Sequence, residues 1–223
     1  MSYNTDEEQV EQLKHLWKSY GQPILVSILI ILVGFFGYKA WQNSQRETAA
    51  AASKLYQDVL DTLSNQSESN KEDEATIKHV VGILQKDYSS SRYAALATLF
   101  LAQQQVEAGQ LKKAISSFHW ILAQKPDASV DTVVRVRLAR VLLALPEPEA
   151  QKALDELSAI KIDKSSFVIS IESAKGDAYL ALGQKDKASE AYQEALNAAR
   201  KEGQPRPLLQ LKLDDLTAVP KGD

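Results

Sequence analysis

The sequence predicts an all-α protein in which an N-terminal transmembrane helix is followed by a solenoid of stacked helical hairpins. Three observations predict it. The run ILVSILIILVGFFGY, from Ile24 to Tyr38, carries no charge. Beyond Trp41 the strong helix formers Ala, Leu, Gln, Glu and Lys dominate, with little of the period-two alternation of strands. Small, glycine and aromatic residues then return at a fixed spacing, which is how helical repeats read in sequence. The expected partition is a tail over 1–22, a membrane span over 23–41 and a repeat domain over 42–223.

The apolar run makes about 22 Å of helix, short of the ~30 Å hydrocarbon core. Trp17 and Tyr20 on one side and Trp41 on the other suit the two membrane interfaces, and from Tyr20 to Trp41 the helix reaches about 33 Å. Lys39 can reach water along its own stem. Pro23 is expected in the first turn, where its missing N–H costs nothing. A buried core helix of this kind would need partners on every face. A cleaved signal peptide begins with a basic region, whereas Asp6, Glu7, Glu8 and Glu11 precede this run. An interfacial helix would need a charged face. Lys14 and Lys18 before the span nearly balance Lys39, Arg46 and Lys54 after it, so charge leaves orientation open. Gly34 and Gly37 have the wrong spacing for a small-xxx-small dimer motif.

The repeat is clearest from Gly176 to Leu196. Gly176, Tyr179, Gly183, Ala188, Tyr192 and Ala195 combine small residues at two helix crossings, a glycine closing the first helix and two tyrosines filling the space between helices. This segment resembles one tetratricopeptide unit. An earlier copy runs through Ala102, Gly109, Ala114, Phe118 and Ile121, with Gln105 in place of the first aromatic and Pro126 as the terminator. A degenerate copy lies between them, from Ala139 through Leu145-Pro146-Glu147-Pro148 to Ala150 and Leu154. The units recur every 37 residues, from Ala102 to Ala139 to Gly176, against a usual period of about 34. Arg200 stands where the last copy would carry its closing proline.

Helices are expected over Thr48 to Leu63 and Glu72 to Tyr88, with a polar loop over Ser64 to Asn70. Pro205 to Leu216 reads as a final helix capping the last repeat, and Pro220 to Asp223 as a frayed end. The large aromatics of the repeats are read as scaffold.

Composition removes several functions. Net charge is -3, without the clustered Lys and Arg that nucleic acid requires. The absence of cysteine excludes disulfides, thiol nucleophiles and thiolate metal sites. His15, His79 and His119 are scattered without ligand spacing, and His119 beside Trp120 is expected to be partly buried. No phosphate loop, zinc-protease motif or nucleophile elbow occurs. Catalytic, cofactor and metal residues are therefore all expected to be none. Arg135, Arg137 and Arg140 form the densest basic group. Arg137 and Arg140 share a helix face and Arg135 points elsewhere; ordinary solvent exposure is the expectation, against a small patch for an acidic partner.

Taken in order, TDEEQVEQLKHLWKSYGQ, GYKAWQNSQRETAAAASKLYQDVL, SSRYAALATLFLAQQQVEAGQLKKAISSF and VRLARVLLALPEPEAQKALDEL give the whole chain a pattern that resembles the YfgM-type ancillary subunits of the bacterial Sec translocon. The resemblance implies a bacterial inner-membrane protein with a cytoplasmic N-terminus and a periplasmic repeat domain. It further implies contact with translocon subunits, with a membrane-anchored periplasmic chaperone of the prolyl-isomerase type, and with translocating polypeptides. An alternative is a regulatory repeat protein restraining a stress-response partner, which a cytoplasmic repeat domain would favour.

Overall fold

The computed structural model describes residues 3–64, 71–161 and 167–217, and these are helical apart from short connections. The expected loop over 65–70 and the expected frayed end over Pro220 to Asp223 lie outside the described residues. In chain order the helices are α1 (Tyr3–Ser64), α2 (Lys71–Asp87), α3 (Arg92–Glu107), α4 (Leu111–Ala123), α5 (Ala128–Leu143), α6 (Ala150–Ser158), α7 (Val168–Ala181), α8 (Lys185–Lys201) and α9 (Pro207–Thr217). Packing divides the chain into two units, residues 1–51 and 52–223.

The first unit is helical throughout its described length. Two expectations change here. Pro23 sits inside α1 rather than in a first turn, and Thr48 to Leu63 is the last part of α1 rather than a separate helix. Proline removes one backbone hydrogen bond, yet Pro23 is the one proline within α1. From Gln42 to Glu47 nothing stops helix propagation, and the Thr48 hydroxyl returns to the Ser44 carbonyl at 2.8 Å without interrupting it. Leu29, Ile30, Ile31, Val33 and Phe36 are each more than three-fifths exposed. Among the described residues no side chain of the most apolar stretch is buried by protein, and α1 is long and apolar enough to cross a membrane.

The second unit is a stack of hairpins. Helices α3 and α4, α5 and α6, and α7 and α8 pair as neighbours, and each pair packs on the next. Helix α5 adjoins both α3 and α7, so these three form one layer. Ala52 and Val59 of α1 meet Ile77, Val81 and Leu84 of α2 and Ala94 and Ala97 of α3 in the first core cluster. The central cluster joins Ala102, Phe118, Ile121, Leu138, Ala139, Leu154 and Ala174 across the hairpins. The third closes the stack, with Leu209 and Leu213 of α9 covering Tyr192 and Leu196 of α8. Small residues at the crossings let the helices approach, and the larger apolar side chains fill what remains.

Starts and stops are local. Asp127 caps α5, its carboxylate accepting from the Ser129 and Val130 amides at 3.1 Å each. Ser91 caps α3 through the Tyr93 amide. The α3–α4 and α7–α8 turns are copies of one another. Gly109 (φ 71°) and Gly183 (φ 73°) donate to Val106 and Leu180, while Gln110 and Gln184 reach back to Gln105 and Tyr179. This is the paired bonding that a left-handed residue after a helix allows. The same pattern recurs after α8, where Gly203 (φ 65°) donates to Arg200 and Gln204 to Ala199. Arg200 stands where the repeat pattern places its closing proline, and Gly203, with Pro205 two residues on, makes the turn instead.

Candidate interaction surface

The residues singled out for repeat packing fall on α3, α4, α7 and α8 or in the turns between them. Ala102, Ala114, Ala188 and Ala195 are fully buried, Phe118 is 2% exposed, and Tyr192 is fully buried. Gly176 faces Tyr192 so closely that an added Cβ would stand 2.3 Å from the ring. Tyr179 is half-buried between the central and C-terminal clusters, with the Lys187 ammonium 5.6 Å from its ring centre. Gly109 and Gly183 are exposed and serve the turns. In the first unit Trp17, Tyr20 and Trp41 are all exposed. The ring of Trp17 lies against Gly21 one turn on, where a Cβ would approach it to 3.1 Å.

Two expectations need correction. His119 is exposed on α4, because the face buried there runs through Ala114, Ser117, Phe118 and Ile121. Trp120 takes the packing role beside it, touching the first and central clusters. Arg135 is no free cation. Its guanidinium donates to Asp131 at 2.9 Å and to Glu156 of α6 at 2.5 Å, and about a fifth of the side chain is exposed. That leaves Arg137 and Arg140 as the exposed members of the basic group.

A second polar link joins the last three helices. Tyr192 of α8 donates its hydroxyl to Asp177 of α7 at 2.6 Å, and Lys212 of α9 donates to the same carboxylate oxygen at 2.5 Å. The Lys212 ammonium also lies 5.7 Å from the Tyr192 ring centre. Burial first, and then the carboxylate as acceptor and as charge, push the Tyr192 hydroxyl far above the ordinary tyrosine range. The arrangement stores no reactive nucleophile. It holds α9 onto the stack.

No cluster of three or more His, Cys, Asp or Glu capable of holding a metal occurs among the described residues. The concavities are open surface grooves. One, of about 440 Å³, lies among α5, α7 and α9, and its lining includes Arg140, Ser170, Ser173, Arg206, Leu208 and Lys212. A groove of this kind suits docking rather than enclosure of a reacting small molecule.

A hairpin stack preceded by an exposed apolar helix defines the class, a tetratricopeptide repeat-like protein whose N-terminal helix fits membrane anchorage. A family model described as a tetratricopeptide repeat-like domain matches residues 14–218. The ancillary SecYEG translocon subunit of Neisseria gonorrhoeae is 28% identical over 214 residues, covering 95% of this chain and 97% of that protein. Its counterpart in Escherichia coli is 29% identical over 191 residues (86% and 87% of the two chains), and that of Haemophilus influenzae 30% over 196 (87% and 91%). The chain belongs to this family of tetratricopeptide repeat-like ancillary translocon subunits.

Proposed function

We propose that the protein is a non-enzymatic ancillary subunit of the Sec translocon, tethered by one span and working through its hairpin stack. The observation that carries this reading is the match to the Neisseria gonorrhoeae subunit over 97% of that protein's length. The likeness therefore includes the apolar helix as well as the repeats. Residues 1–22 form a cytoplasmic tail, 23–41 cross the bacterial inner membrane with Trp17, Tyr20 and Trp41 at its interfaces, and 42–223 lie in the periplasm. There the stack docks a membrane-anchored chaperone of the prolyl-isomerase type and assists transfer of translocated polypeptides to it. Tethering raises the local concentration of the domain beside the channel, so individually weak contacts suffice.

Purification of the tagged full-length chain in mild detergent tests the assembly. Translocon channel subunits should co-purify, and their absence from a well-expressed preparation would remove the reading. A periplasm-dependent reporter fused after Asp223 tests the orientation. Activity is expected; silence there, with activity of a cytosolic reporter, would favour a regulatory role on the cytoplasmic side.

A further inference from the structure

The geometry points to the groove among α5, α7 and α9 as a docking site for an acidic polypeptide segment with interspersed apolar side chains. The inference builds on the docking role proposed above and gives it a place and a chemistry.

Charge is the first argument. The chain as a whole has more acidic than basic residues, 29 against 26. The groove reverses that balance. Its lining contains Arg140, Arg206 and Lys212 and no carboxylate residue. Lys212 is held by Asp177. Arg140 and Arg206 have no carboxylate partner among the described residues. Arg206 gives one nitrogen to the Gln204 side-chain oxygen at 2.7 Å. A guanidinium carries five N–H donors in a planar fork, so both side chains retain the geometry that receives a carboxylate in two-point fashion. Arg137, exposed on the same face of α5 and three residues before Arg140, extends the positive surface. The first turn of α9 adds the positive end of a helix to the same wall.

Shape and apolar character choose the occupant. Ile169 and Leu209, 7% and 6% exposed, line the groove, whereas Leu208 is 67% exposed at its edge. Ser170 and Ser173 of α7 add hydroxyls that can meet a peptide backbone. A ligand matched to this surface needs carboxylates for two guanidiniums and an apolar side chain for Leu208. An acidic peptide supplies both. A bilayer presents a flat anionic plane, which cannot follow cations set into a recess between three helices.

The test uses the full-length chain in a neutral detergent. The probe is a short fluorescein-labelled peptide of glutamate, serine and leucine, with a twin carrying glutamine for every glutamate. At low salt the acidic peptide should bind about tenfold tighter than its twin. Arg140→Gln with Arg206→Gln should abolish that preference. Lys112→Gln with Lys152→Gln, outside this groove, should preserve it. Circular dichroism shows whether each variant keeps its helices; single substitutions, Arg140→Gln and Arg206→Gln, each weakening the preference, serve if the double variant does not fold. Equal binding of the two peptides, or an unchanged preference in a folded Arg140 and Arg206 variant, would overturn the proposal. So would arginine-dependent binding of short-chain phosphatidylglycerol in place of the peptide, which assigns the groove to a lipid head group. Absence of any peptide preference in the wild-type chain, with translocon subunits still co-purifying, would sink this inference and leave the assembly role standing.

Discussion

Gly176 of α7 lies beneath the ring of Tyr192 of α8, with no room between them for a methyl group. A Cβ on Gly176 would fall 2.3 Å from Cε1 and 2.4 Å from Cδ1 of the tyrosine. The ring is fully buried, and its hydroxyl is fixed on Asp177. It has nowhere to retreat.

Gly176→Ala is therefore expected to destabilise the repeat domain by about 2 kcal/mol, over-packing outweighing the helix propensity gained. Gly82 is the matched control. It lies within α2 with nothing inside 4 Å of its absent Cβ. Gly82→Ala should stabilise by about 0.5–1 kcal/mol. Thermal unfolding of the full-length chain in mild detergent, followed by circular dichroism, should move in opposite directions for the two variants.

Tyr192 makes stability depend on alkaline pH. Its ionisation is raised in the folded state above the ordinary value near 10. A group of this kind contributes its full stability below the unfolded value and loses it as pH climbs from there toward the folded one. Unfolding measured from about pH 8 to about pH 11 should show stability falling over the upper part of that range. Tyr192→Phe should lower stability at neutral pH by about 1.5–3 kcal/mol, the hydrogen bond to a charged acceptor being lost, and flatten the alkaline fall. An unchanged alkaline slope would count against this origin.

The two equivalent turns offer a test of backbone conformation. At Gly109 and Gly183 nothing lies within 4 Å of the missing Cβ, so the positive φ alone opposes a side chain. Alanine at either site should cost about 1–2 kcal/mol, and asparagine clearly less, in the same unfolding measurement.

The apolar helix should behave as an integral span. The full-length chain is expected to stay with membranes through a carbonate wash and to keep its N-terminal sequence after expression. Ile31→Lys, at a position 68% exposed in the protein, should cost about 3 kcal/mol of insertion and release a measurable fraction. Recovery of the unmodified chain in the wash would overturn the membrane assignment.

Much of the fold could be read before any coordinates, because its signals are short-range. The turns at Gly109 and Gly183 depend on one backbone angle and hydrogen bonds spanning a few residues. Gly203 obeys the same rule, three residues beyond Arg200, the position where the repeat pattern places a proline. Helix continuity through Pro23 was harder, since a single proline sets a local penalty without deciding whether the chain on either side continues. The basic group shows the limit most clearly. Arg135, Arg137 and Arg140 are neighbours in sequence, yet Arg135 is tied to Glu156 while Arg140 lines a groove with Arg206.

By itself, then, the sequence determined the apolar N-terminal helix, the helical hairpins and the small residues at their crossings, since each rests on composition and spacing within one or two helices. Tertiary structure alone decided which charges meet: Lys212 with Asp177, Arg135 with Glu156, and beside Leu208 two guanidiniums with no carboxylate partner among the described residues. Those meetings depend on how successive hairpins are rotated against one another, and that rotation is set by the packing of whole helix faces.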